Sequence, residues 1–117
     1  MAELNIVTFG MHGVNQGLDY LKDACQSLLH DVIFLQEHWI AAFNMDKLFS
    51  ISSDYIVFGE SAMQSVTSKG ILSGRPFGGV AIFAKKSMAK WTQCIYSGDS
   101  VVSITIFNSL YINTYFP

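Results

Sequence analysis

The chain has 117 residues, enough for one small domain, of which 50% are hydrophobic and 14% charged, against about 25% charged in a typical globular domain. Seven Lys and Arg against nine Asp and Glu give a net charge of −2, so the overall basic excess that duplex DNA binding by phosphate neutralisation usually needs is missing. Low charge on so short a chain, which exposes a large share of its surface, points to a piece of a larger folded unit; the alternative is an ordinary small domain with well-buried strands.

In chain order, residues 4–9 are mostly β-branched and apolar and are followed by Gly10 and Gly13, which predicts a strand and then a loop. Met1-Ala2-Glu3-Leu4-Asn5 has neither a cationic lead nor an apolar run, so no secretory leader is expected. Asn15 is the expected N-cap of a helix whose apolar face carries Leu18, Leu21, Cys25, Leu28 and Leu29. His30 falls at its end, where the helix dipole favours a cation.

Val32-Ile33-Phe34-Leu35 is a continuous apolar run, the pattern of a strand buried on both faces. Strand, helix, strand in that order predicts a right-handed crossover between parallel neighbours. Residues 39–49 read as a second helix carrying Trp39, Phe43 and Leu48, and residues 55–58 as the next strand. The stretch 60–76 lacks periodicity and contains Gly70, Gly74 and several serines; a loop of that length is usually functional or disordered. Four strand-like runs follow at 79–84, 91–96, 101–107 and 110–115, with turns at Ser97-Gly98-Asp99 and Asn108-Ser109. They predict an antiparallel meander after a βαβ start, hence an α/β fold with a mixed β-sheet.

Cys25 and Cys94 are too few and too far apart for a disulfide scaffold. Cys25 on the apolar helix face reads as a buried free thiol, which fits a reducing, intracellular compartment. No run reaches the apolar length of a membrane span. Lys69 with Arg75, and Lys85, Lys86 and Lys90, are the only local basic clusters, and they read as solvated faces.

Glu37 is the most informative candidate. It stands at the carboxyl end of the most buried strand, where ligands gather in α/β sheets. A carboxylate there suits a hard divalent cation such as Mg2+, which takes oxygen ligands and keeps several waters; it equally suits a helix-start acid. His12 follows the first strand, so its loop faces the same sheet edge and could position a phosphate, although a lone histidine after a strand is more often a loop residue with a local hydrogen bond. His38 adjoins Glu37 but is expected to point elsewhere. Three histidines without regular spacing argue against zinc. Arg75 stands before Pro76-Phe77-Gly78-Gly79, where a guanidinium fork suits phosphate recognition; the segment equally reads as an ordinary exposed arginine before a strand-entry bend.

Four segments together resemble a known family. Leu4-Asn5-Ile6-Val7-Thr8-Phe9-Gly10-Met11-His12-Gly13, Asp31-Val32-Ile33-Phe34-Leu35-Gln36-Glu37, Phe77-Gly78-Gly79-Val80-Ala81-Ile82 and Tyr115-Phe116-Pro117 are similar, in order and spacing, to motifs of the endonuclease/exonuclease/phosphatase superfamily. Gln36-Glu37-His38-Trp39 and Gly74-Arg75-Pro76-Phe77-Gly78-Gly79 resemble the apurinic-type endonucleases of non-LTR retrotransposons.

The resemblance covers the chain but only about the first half of the family's domain, a four-layer α/β/β/α sandwich. It implies Mg2+-dependent hydrolysis of phosphate esters with DNA as partner, Glu37 as metal ligand and Tyr115 at the substrate phosphate. Gly10 stands where the family carries an asparagine. The later aspartate–x–asparagine and aspartate–histidine motifs have no match here, so the chain alone is expected to lack turnover. A half-sandwich is further expected to leave the inner face of its sheet uncovered and to self-associate. Two alternatives are a non-catalytic interaction module and another phosphatase of the superfamily, acting on inositol phosphates, sphingolipids or RNA tails.

Overall fold

The computed structural model describes residues 4–11, 14–38, 40, 45–60, 79–98 and 100–115. Strand β1 (Ile6–Gly10) leads into helix α1 (Val14–Ser27) and strand β2 (Val32–Gln36). A single-turn helix α2 (Asp46–Phe49) precedes β3 (Tyr55–Glu60). Then come β4 (Val80–Lys85), a 3-10 helix (Lys86–Trp91), β5 (Thr92–Ser97), β6 (Val101–Ile106) and β7 (Ser109–Thr114).

Two sheets result, with strand orders β1-β2-β4-β3 and β5-β6-β7. The expected βαβ start is present, since β1 and β2 pair in parallel from Ile6 opposite Val32 to Gly10 opposite Gln36. The predicted four-stranded meander is not. β4 inserts between β2 and β3, antiparallel to both, and only β5–β7 form the meander. The cause lies in β4 itself: Val80, Ala81, Ile82, Phe83 and Ala84 are all fully buried, and a strand apolar on both faces needs cover on both faces.

Alternation along the first sheet divides its side chains between two cores. Ile33, Leu35, Ala81, Phe83 and Tyr55 pack with Leu21, Cys25 and Leu48 under the helices. Val32, Val80, Ile82 and Ala84 pack with Val102, Ile104 and Ile106 of β6 between the sheets. The molecule is thus layered helix, sheet, sheet. The inner face of the first sheet, expected to be bare, is covered by β5–β7. What stands open is the outer face of that second sheet, where Tyr96, Leu110 and Ile112 are more than half exposed.

Local readings are corrected in three places. Helix α1 starts at Val14, ahead of the expected cap at Asn15, and ends at Ser27, whose hydroxyl donates to the Ala24 carbonyl at 2.8 Å. Leu28 takes a left-handed φ of 55°, a common helix stop. Leu28 and Leu29 therefore leave the helix and are exposed, and His30 lies beyond its end. Of the predicted 39–49 helix only Asp46–Phe49 is helical among the described residues; Trp39 and residues 41–44 fall outside them. The β6–β7 turn uses Phe107 and Asn108, one residue early, with Phe107 at φ 57°.

Cys25 is buried and free, and Cys94 is exposed. Lys85 is not simply solvated: its ammonium meets the Asp31 carboxylate at 3.3 Å, and both are half-buried. Lys86 and Lys90 are exposed. No helix among the described residues is long and apolar enough to cross a membrane.

Candidate functional site

The register brings several chain ends to one edge. Gly10 closes β1 opposite Gln36, and Gln36 in turn faces Val80 at the start of β4. The second sheet contributes the carboxyl end of β7. Glu37 therefore stands at a sheet edge, as its position after β2 predicted.

Glu37 is half-buried and has a left-handed φ of 57°, a costly conformation for a residue with a side chain. The consequence is geometric. Even-numbered residues of β2 face the second sheet and odd-numbered ones face the helices, so regular alternation would send residue 37 away from β7. The left-handed turn reverses it. The Tyr115 hydroxyl, two residues after Asn113 on the β7 side, donates to Glu37 Oε1 at 2.7 Å.

That hydrogen bond, with partial burial and the carboxylate charge adding to it, raises the Tyr115 phenol above its ordinary range. Tyr115 is thereby held as a neutral donor through neutral pH. The resemblance named Glu37 and Tyr115 separately; the fold puts them in contact.

Beneath this pair lies a polar layer that the sequence reading missed. Gln36 Nε2 donates to Asn113 Oδ1 at 2.6 Å and to Thr8 Oγ1 at 3.0 Å. Asn113 is buried, and its Nδ2 donates to the carbonyls of Leu35 and Ala81, each at 2.9 Å. A period-2 reading back from Tyr115 puts Asn113 on the same strand face, and Gln36 is part of the Leu-Gln-Glu segment. Those were the available signals.

His38 is fully buried, and its Nδ1 accepts from the Ile40 amide at 3.1 Å. The neutral ring therefore carries its proton on Nε2. The ring packs against Gly79, where an added Cβ would collide with the imidazole. His38 is thus turned into the protein body. His30 offers its carbonyl to the Tyr55 hydroxyl at 2.6 Å. His12 and Arg75 lie outside the described residues, as does the 61–78 stretch.

Among the described residues no three histidine, cysteine or carboxylate groups converge as a metal site. Glu37 still fits a Mg2+ ligand, because that ion is commonly held by one or two carboxylates, several waters and substrate phosphate. Position 10 lies at the same edge, but glycine offers no side-chain donor or acceptor there.

No family model matches the sequence, and no curated protein matches it. Solved structures do match the fold. The AP endonuclease LMAP from Leishmania major superposes with a TM-score of 0.68 at 15% identity, over 94% of this chain and 39% of that one. A 3'-5' exonuclease (NExo) from Neisseria meningitidis gives 0.60 at 16%, over 94% and 40%. Humanized D. rerio TDP2 gives 0.54 at 16%, over 93% and 47%. This chain spans less than half the length of each. These likenesses show that the chain has the fold that the three structures share, matched over more than nine tenths of its own length.

Proposed function

We propose that the chain carries one part of a divalent-cation phosphodiesterase site of the DNA endonuclease type, with Glu37 as the Mg2+ ligand and Tyr115 as the phosphate-side donor. The observation that carries this reading is the 2.7 Å Tyr115–Glu37 hydrogen bond between the two sheets. It joins a carboxylate suited to a hard cation to a phenol suited to a phosphate oxygen. A bound cation supplies charge neutralisation at the phosphate and stabilises the leaving oxygen. Tyr115 has a single proton, given to Glu37 in this structure; with a cation on that carboxylate the O–H would turn to a phosphate oxygen. His12 and Arg75 are proposed as further substrate contacts on their sequence positions alone. A Neisseria NExo structure bound to product DNA hairpin, matched at 16% identity, supports DNA as the substrate class. The retrotransposon-type reading rests on the segments around Glu37 and Arg75, and with it an intracellular setting.

Turnover by this chain alone is not expected. The chain spans about two fifths of the NExo and LMAP lengths, and removing members of a cooperative catalytic set abolishes most of the rate. A plasmid-nicking assay with Mg2+ tests this: the purified chain should leave supercoiled DNA intact. Robust nicking that Glu37→Ala abolishes would refute the inactivity and establish the site.

A second reading, a non-catalytic interaction module, is favoured by the open outer face of the β5–β7 sheet. Its three strands contain no charged residue.

A further inference from the structure

Asn113 makes more bonds than holding β7 in its own sheet requires. Its side chain leaves the second sheet and reaches the first, where it donates to the facing carbonyls of Leu35 on β2 and Ala81 on β4. Its Oδ1 takes the Gln36 amide at 2.6 Å. Gln36 passes the linkage on to the Thr8 hydroxyl of β1, donating from Nε2 at 3.0 Å and accepting at Oε1 at 3.2 Å. One buried amide thus ties β7 to three strands of the other sheet.

The contact lies next to the Glu37–Tyr115 pair on both strands. Gln36 directly precedes Glu37, and Tyr115 follows Asn113 by two residues on the same strand face. Around it the inter-sheet core is apolar, built from Val32, Val80, Ile82, Val102 and Ile104. Apolar packing resists separation of two sheets but tolerates small slides. A short hydrogen bond between buried groups does not, because an unmade one leaves desolvated donors and acceptors.

We propose that Asn113 is a positioning residue: through Gln36 and the Leu35 and Ala81 carbonyls it sets the separation and register of Tyr115 against Glu37. The geometry favours this over a purely structural role because the clamp sits within two residues of both partners. A general inter-sheet staple could sit anywhere along β7. The consequence for cation binding rests on the reading of Glu37 as the ligand; the consequence for the Tyr115–Glu37 contact does not.

The test is a double-mutant cycle on folding stability, Tyr115→Phe against Glu37→Met, which removes the acceptor, in three backgrounds of the full chain: wild type, Asn113→Ser and Gln36→Met. In wild type the pair should be coupled by about tenfold in the folding equilibrium constant, as for a hydrogen bond to a charged group. In both other backgrounds the coupling should fall below about twofold. A merely structural Asn113 would lower stability and leave the coupling unchanged, and that result overturns the proposal. Gln36→Met keeps the bonds from Asn113 to the backbone and replaces a half-buried side chain by one of similar length, so it carries the test if Asn113→Ser does not fold. In parallel, Mn2+ binding read by electron paramagnetic resonance should weaken about tenfold in each variant, as when a group orienting a metal ligand is lost. A wild-type chain that binds no Mn2+ would sink the cation reading, and the cycle would still judge Asn113.

Discussion

At the scale of single residues, burial and hydrogen bonding set the acid–base behaviour. Burial, helped by the Asp54 charge, pushes the Cys25 thiol from 9.0 to about 11. Burial, then the negative charges of Cys25, Asp31 and Asp54, push the Tyr55 phenol from 10.0 to about 12. Both shifts favour the neutral, protonated form in the folded chain. The stability they represent is fully present below the unfolded values and is lost as pH rises through the folded ones. Urea midpoints should therefore fall steadily from about pH 9 to pH 12. Tyr55→Phe should flatten the part above about pH 10 while costing about 1 kcal/mol at neutral pH, through the lost bond to the His30 carbonyl. A slope unchanged by the substitution would place the alkaline loss elsewhere.

At the scale of elements, the junction between β2 and β4 governs the site. The left-handed turn at Glu37 is bought against backbone strain, and the buried imidazole of His38 next to it holds the exit of β2 against the start of β4. Gly79 makes that contact available. It has a φ of 93° and meets the ring so closely that any side chain would collide with it. Gly79→Ala should cost about 2 kcal/mol or more from strain and displacement of the ring. Denaturant melts would measure the loss. Equal stability of the two proteins would show that this contact yields easily. The Gly-Gly-Val-Ala-Ile segment thus has a structural reason for its second glycine, independent of any ligand.

At the scale of the whole molecule, the balance of open and covered faces differs from that expected of a half-sandwich. The inner faces cover each other, and among the described residues the outer face of β5–β7 exposes Tyr96, Leu110 and Ile112 together, whereas Tyr20, Leu29 and Phe49 are exposed elsewhere on the molecule. Edge strands are commonly protected by charge, proline or a bulge. β5 has an irregularity between Cys94 and Tyr96, whereas β7, Ser-Leu-Tyr-Ile-Asn-Thr, has no charged residue and no proline. The purified chain should self-associate with rising concentration, and Ile112→Lys should shift it toward monomer, because Ile112 is 54% exposed and its loss empties no core. Light scattering on both proteins decides it. A wild-type monomer at all concentrations, with a cooperative melt, would show that this face tolerates water.

The mixed α/β class, the βαβ start, the buried strand at 32–35 and the placement of Glu37 near its carboxyl end were legible in the sequence. Each depends on local periodicity or on a continuous apolar run, which neighbouring residues encode together. Glu37 and Tyr115 were legible as separate candidates through the motifs around them. The position of β4 between β2 and β3 was not, because a short apolar strand pairs according to which faces remain to be covered. Nor was the reversal of Glu37 toward β7, which takes a single left-handed backbone angle. Thr8, Gln36 and Asn113 were invisible as a unit, since they come from three strands and two sheets. Local pattern determined which residues form the strands and where the carboxylate stands. Only the packing of one sheet on the other decided that it meets Tyr115, and that a buried amide holds the two together.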